Sequence, residues 1–300
     1  MEAISNAKIS GQFEQIKLHM DKSEGILWLY MDPIGRPCFS VELVNEIISS
    51  HRTLMKNHGY YALKDDLTRV NYQVMTSMPG KPYNLGGDLE LFVHCLQQRN
   101  RQQLTEYAKL CIDGLYPTSC NFHGLVTTIA LVRGQALGGG FESALSSSVI
   151  VAERDARLGL PEVLFNLFPG MGAYQFLSRR LPVIEAERMI MSGKLYEAEE
   201  LHDMGIVDVL AEPGEGEAAV YEFVRRNRRH HNTQLAMQKV RQLHKPVSYH
   251  ELMRICHLWV DAAMHLDAHD FKVMERLLNA QYRMVSSEQS ADDSRLKAIA

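Results

Sequence analysis

GQALGGGFESAL, residues Gly134–Leu145, sets three consecutive glycines just ahead of a carboxylate, Glu142. The stretch before it, LVTTIALVRG (Leu125–Gly134), is apolar and β-branched, as a strand buried on both faces should be. The stretch after it, SALSSSVIVA, begins as a helix and gives way to another strand. A glycine link between strand and helix leaves bare N–H groups at a helix N-terminus. The same order occurs upstream. RVNYQVMTSM (Arg69–Met78) reads as a strand, PGKPYNLGGD (Pro79–Asp88) as a turn dense in Pro and Gly, and Leu89–Tyr116 as one long helix. Both turns end in glycines followed closely by an acidic residue, LGGDL at Leu85–Leu89 and LGGGFE at Leu137–Glu142.

Further out, GILWLYMD (Gly25–Asp32) reads as a strand and Ser40–His58 as an amphipathic helix capped by Ser40. Leu160–Leu181 places Pro161, Gly170 and Gly172 around short helical pieces, and EAEELHDMGIVDVL (Glu197–Leu210) reads as helix, glycine stop and strand. The last third is helical, with Leu252, Ile255, Trp259, Ala263, Leu266, Val273 and Leu277 on one stripe of a single long helix. The expected organisation is a leader at 1–24, an α/β core at 25–210, a helical region at 211–283 and a flexible polar tail at 284–300.

Lys and Arg number 32 against 36 Asp and Glu, a net charge of -4 that argues against a nucleic-acid coat. No apolar run has the length of a membrane span, and the N-terminus lacks the basic-then-apolar order of a secretion signal, so a cytoplasmic protein without membrane insertion is expected. The five cysteines are scattered, without C-x-x-C, and the histidines show no H-E-x-x-H spacing; neither a metal nor another cofactor is expected. The glycine turns match neither a P-loop nor a dinucleotide fingerprint.

Two helix N-termini bared by glycine could direct N–H groups at one oxygen, forming an oxyanion hole. Tight strand-to-helix packing explains the glycines equally well in isolation. Glu142 alone also reads as a first-turn carboxylate meeting the helix dipole, and Glu162 after Pro161 as a helix opening.

Taken together, GILWLYMD, NLGGDL, GQALGGGFE, LGLPEV, FPGMGAYQFLSRR and EAEELHDMGIVDVL occur in an order that resembles the crotonase (enoyl-CoA hydratase and isomerase) superfamily over approximately 25–282. The resemblance implies a spiral of strand-strand-helix turns, trimers or pairs of trimers, and acyl-thioester chemistry. It assigns the two oxyanion donors to the N–H groups of Gly87 and Gly139, and catalytic roles to Glu142 and Glu162. Within the superfamily the chain looks most like synthases of diffusible signal factor, a cis-2-unsaturated fatty acid of bacterial quorum sensing. The features behind that likeness are the leader, YNLGGDLELF, the long Leu89 helix and Tyr174.

Such synthases are understood to dehydrate a 3-hydroxyacyl thioester of acyl carrier protein or CoA and hydrolyse it to the free acid. An ordinary hydratase of fatty-acid degradation and a crotonase-like regulatory binding partner are the alternatives, and a regulatory protein partner is compatible with an enzyme too. G-x-S-x-G is absent, which favours glutamate-activated water over a serine thioesterase for the hydrolytic step. Met171 and Trp259 are candidates for the wall of an acyl pocket, with core packing as the other reading. RRNRRHH (Arg225–His231), with Lys239, Arg241 and Lys245, reads as a solvated face or as a docking site for an acidic carrier.

Overall fold

A computed structural model describes residues 13–63 and 66–299, so the first half of the expected leader lies outside the described residues, as do Ala300 and the side chains beyond Arg283. In chain order, β1 (Ile16–Asp21), β2 (Ile26–Met31), α1 (Val41–Lys56), the hairpin β3 (Tyr60–Leu63) and β4 (Asp66–Arg69), and β5 (Tyr72–Ser77) open the fold. Next come α2 (Leu89–Gln97), α3 (Arg101–Ser119), the single turn α4 (Asn121–Gly124), β6 (Thr127–Val132), β7 (Gln135–Leu137), α5 (Gly139–Ser146), β8 (Val149–Glu153) and β9 (Arg157–Gly159). A 3-10 turn at Pro161–Phe165 leads to α6 (Ala173–Ser178), α7 (Val183–Ser192), β10 (Leu195–Glu197), α8 (Ala198–Asp203) and β11 (Val209–Ala211). Four helices close the chain: α9 (Gly216–Asn227), α10 (His231–His244), α11 (Tyr249–Ala263) and α12 (Ala268–Ile299).

The main sheet runs β1-β2-β5-β6-β8-β11, antiparallel between β1 and β2 and parallel thereafter. This is the α/β class with a helical C-terminal region read from the sequence. Its central strands are nearly continuous apolar runs because helices cover both faces. Alternation decides which face each side chain joins. Leu27, Leu29 and Met31 enter the large core beneath α1, α3 and α5, while Ile26 and Trp28 enter the smaller core beneath Val220 and Val224 of α9.

Three parts of the sequence reading change. The leader contains a strand: IKLHMD alternates buried and half-buried residues and pairs with β2 as the sheet edge, Ile16 opposite Met31. Leu89–Tyr116 is two helices, because Arg99 adopts φ 50° and the Asn100 side chain then caps α3 on Gln103 N at 3.1 Å. The final stripe likewise belongs to two helices. Asp267 begins the second, its Oδ1 accepting from His269 N at 2.7 Å and Asp270 N at 3.1 Å, and the helical backbone continues through the expected tail to Ile299.

Candidate active site

A small second sheet, β10-β9-β7, assembles the site. β7 lies parallel to β9 with Leu137 opposite Gly159, and Gly138 N–H donates to Gly159 O at 2.9 Å. The turn before α5 and the 3-10 turn after β9 therefore emerge side by side. Gly138 has φ +52°, and a Cβ there would lie 2.4 Å from Glu162 Oε1, so both backbone shape and the approach of the carboxylate require glycine. At Gly140 a Cβ would meet Asn84 O at 2.1 Å. That contact lays the upstream glycine turn against the start of α5. The two proposed donors become neighbours: a Cβ on Gly139 would be 3.5 Å from the Gly87 nitrogen and 2.8 Å from the Met171 sulfur.

Glu142, one turn into α5, is 2 % exposed. Its Oε1 accepts from Met171 N at 2.7 Å and Ala173 N at 2.9 Å, in the turn opening α6. Burial raises its pKa to about 7 against the opposing pull of these amides. Glu162, in the 3-10 turn, is 9 % exposed, and its Oε2 has no hydrogen-bond partner. Burial first, and the charge of Glu142 second, hold its carboxyl well above the ordinary range. No Lys, Arg or His lines their shared cavity among the described residues. Once pH passes the Glu142 value of about 7 the pair holds a single proton, which the unbonded Glu162 Oε2 and the amides on Glu142 favour on Glu162.

The cavity encloses about 300 Å³ and is bordered by Gly87, Gly139, Glu142, Glu162, Met171 and Trp259, every site residue the sequence singled out. Trp259 packs on Gly170, where a Cβ would come within 2.4 Å of its indole, and lies 5.0 Å from the Phe92 ring. Phe92 of α2, Tyr107 and Cys111 of α3, and Leu277 and Gln281 of α12 also form the wall. Sequence reasoning missed these five, since an apolar helix stripe does not say which part of the core it meets. Tyr174 points elsewhere, 43 % exposed and bonded to Glu187 at 3.0 Å. Arg225, Arg228, Lys239, Arg241 and Lys245 are not part of the lining. The Ser143 hydroxyl lies on the Met75 sulfur at 3.6 Å, not on a histidine. No cluster of three or more His, Cys, Asp or Glu able to hold a metal occurs among the described residues, and no helix among them is long and apolar enough to cross a membrane.

Residues 64–272 match the enoyl-CoA hydratase/isomerase family. The fatty acid oxidation complex subunit alpha of Pseudomonas syringae pv. tomato is 38% identical over 101 residues, 34% of this chain and 14% of that protein. The chain spans only 12–14% of the length of the first curated relatives it matches. The human mitochondrial delta3-delta2-enoyl-CoA isomerase shares its fold with a TM-score of 0.73 at 15% identity, over 90% of this chain and 99% of that one. An enoyl-CoA hydratase from Bacillus halodurans superposes with a TM-score of 0.68 at 18% identity, over 88% and 100% of the two chains.

Proposed function

The chain belongs to the enoyl-CoA hydratase/isomerase family, and from that premise we propose that it adds water to, or removes it from, the C2–C3 bond of an acyl thioester. The observation that carries this reading is the pairing of two buried carboxylates of unequal proton affinity in one apolar cavity beside the Gly87 and Gly139 amides. In the hydration direction, ionised Glu142 takes a proton from water while the water oxygen bonds to C3. The displaced electron pair moves to the thioester oxygen, where the N–H groups of Gly87 and Gly139 hold the enolate, and protonated Glu162 delivers its proton to C2. The coupled pair then returns the proton from Glu142 to Glu162. Dehydration runs the same steps backwards. Met171 and Trp259 flank the acyl chain in this arrangement.

A finer reading is that dehydration of a 3-hydroxyacyl thioester, borne by acyl carrier protein or CoA, is followed by attack of glutamate-activated water on the thioester carbonyl. That would release a free cis-2-unsaturated acid of the quorum-sensing kind. Supporting it are the presence of both glutamates in the cavity, the paired amides that would also hold a tetrahedral oxyanion, and a Ser143 hydroxyl that contacts the Met75 sulfur rather than a histidine. Replacing Glu142 and Glu162 separately by Gln tests the shared chemistry. Hydration of a trans-2-enoyl-CoA, followed by loss of the conjugated-thioester absorbance, should fall by about 100-fold or more in each variant. A wild-type rate in either removes that residue from the mechanism. Free acid detected by mass spectrometry from 3-hydroxyacyl carrier protein supports the hydrolytic step; hydration without such release leaves an ordinary hydratase.

A further inference from the structure

We propose that Arg36 and Tyr107 are positioning residues that fix the Leu85–Asp88 turn so that the Gly87 N–H faces the thioester oxygen; the inference rests on the acyl-thioester reading above. This turn belongs to neither of the larger sheets, and its direction is set by what grips it on either side. On one side runs the segment 36–39. Leu85 N–H donates to Pro37 O at 2.7 Å and Phe39 N–H to Gly86 O at 2.8 Å, with Phe39 and Gly87 in a parallel bridge. On the other side stands Tyr107, in the cavity wall. Its oxygen accepts from Asp88 N–H at 3.0 Å and its hydroxyl donates to Phe39 O at 2.6 Å. One phenol thus ties the residue following Gly87 to the strip that runs beside it. A Phe would fill the same space, so what the hydroxyl adds is the tie between those two backbone groups.

Arg36 acts on the same turn through Asp88. The Asp88 Oδ1 caps α2, accepting from Glu90 N at 3.1 Å and Leu91 N at 3.3 Å, and also receives Arg36 Nη2 at 2.7 Å. The Arg36 side chain is only 10% exposed and reaches Glu90 at 3.0 Å. From α12, Gln281 Oε1 stands at 3.5 Å from Arg36 Nη1, and the Tyr282 ring lies 5.2 Å from the guanidinium carbon. A charge so enclosed cannot swing without breaking several contacts, so Asp88, and with it the peptide that carries the Gly87 N–H, is held from outside as firmly as Tyr107 holds it from inside.

Arg36→Met and Tyr107→Phe test this with a trans-2-enoyl-CoA carrying carbon-13 at the thioester carbonyl. In the wild type, binding should move the carbonyl infrared band to lower frequency as the two amides polarise it. Both variants should return the band toward its position in free substrate and lower kcat by about 10- to 100-fold, with KM within about threefold. The pH profile should keep its shape, because neither glutamate is touched. Arg36→Lys, which can still reach Asp88, should recover part of both signals. Wild-type band position and kcat in Arg36→Met overturn the proposal for Arg36, and the same result in Tyr107→Phe overturns it for Tyr107. A Tyr107→Phe chain that fails to fold overturns the positioning role for Tyr107 in favour of a purely structural one, and Arg36→Met, acting through the rim of the turn, decides the rest. A wild-type protein that shows no band shift removes the acyl-thioester reading and the proposal with it, an outcome distinct from a shifted band unaffected by substitution.

Discussion

Glu142 and Glu162 share one apolar wall and differ in what touches them. Amides of the α6 turn hold the first; nothing donates to Oε2 of the second. Hydration needs Glu142 ionised and Glu162 protonated, so kcat/KM should rise with pH through about 7 and fall again as Glu162 ionises. A rate independent of pH across that window would remove the assignment. The same shifts act on stability. Raised carboxyls bind protons more tightly in the native than in the unfolded chain, so their stabilising contribution is complete below the ordinary value of 4.5 and is lost as pH rises through the native values. Glu162→Gln, which cannot ionise, should therefore melt on the order of 3 °C above the wild type at pH 8 and at the same temperature near pH 4. At this scale the sequence was informative for a physical reason: glycines that must admit another backbone or a carboxylate, and acids beside them, are local features. Which carboxyl keeps the proton was not legible, since that depends on the Met171 and Ala173 amides, brought in by a different element.

The glycine turns behave as parts of the elements they open. Gly140 lets the first turn of α5 pass against the Asn84 carbonyl, where a methyl group would arrive at 2.1 Å from oxygen and 2.8 Å from carbon. Backbone cannot step aside as a flexible side chain can, so Gly140→Ala should cost about 3 kcal/mol or more in thermal or denaturant unfolding. Gly80→Ala is the comparison: its φ is +81° but nothing lies within 4 Å, and a cost of about 1–2 kcal/mol is expected from backbone strain alone. Equal losses in the two variants would contradict the packing argument. Helix boundaries were less legible than these turns. The apolar stripes of Leu89–Tyr116 and of the final region continue across their breaks, and what interrupts them is a left-handed Arg99 in one case and the Asp267 cap in the other. The left-handed run Asn121–Gly124 has a glycine only at its last position; Phe122 within it is fully buried, and Asn121 Oδ1 receives Thr128 Oγ1 at 3.1 Å. Tertiary burial there outweighs local preference.

Across the whole molecule, the sheet separates two cores, and the cavity opens in the larger one, roofed by helices distant in sequence. Strand patterns made the sheet readable, whereas the roof was not, because α2, α3, α11 and α12 each present apolar stripes that could have packed in several ways. The chain has two tryptophans, and the sheet assigns one to each side: Trp28 with Tyr30 and Tyr221 in the α9 core, Trp259 in the cavity wall. That division gives the protein a built-in optical reporter. With Trp28→Phe, indole emission comes from the cavity alone, and titration with an acyl thioester should change its intensity and colour in proportion to occupancy. With Trp259→Phe, the remaining emitter sits behind the sheet and should stay silent during the same titration; a response there instead would mean that ligand seats on the opposite face.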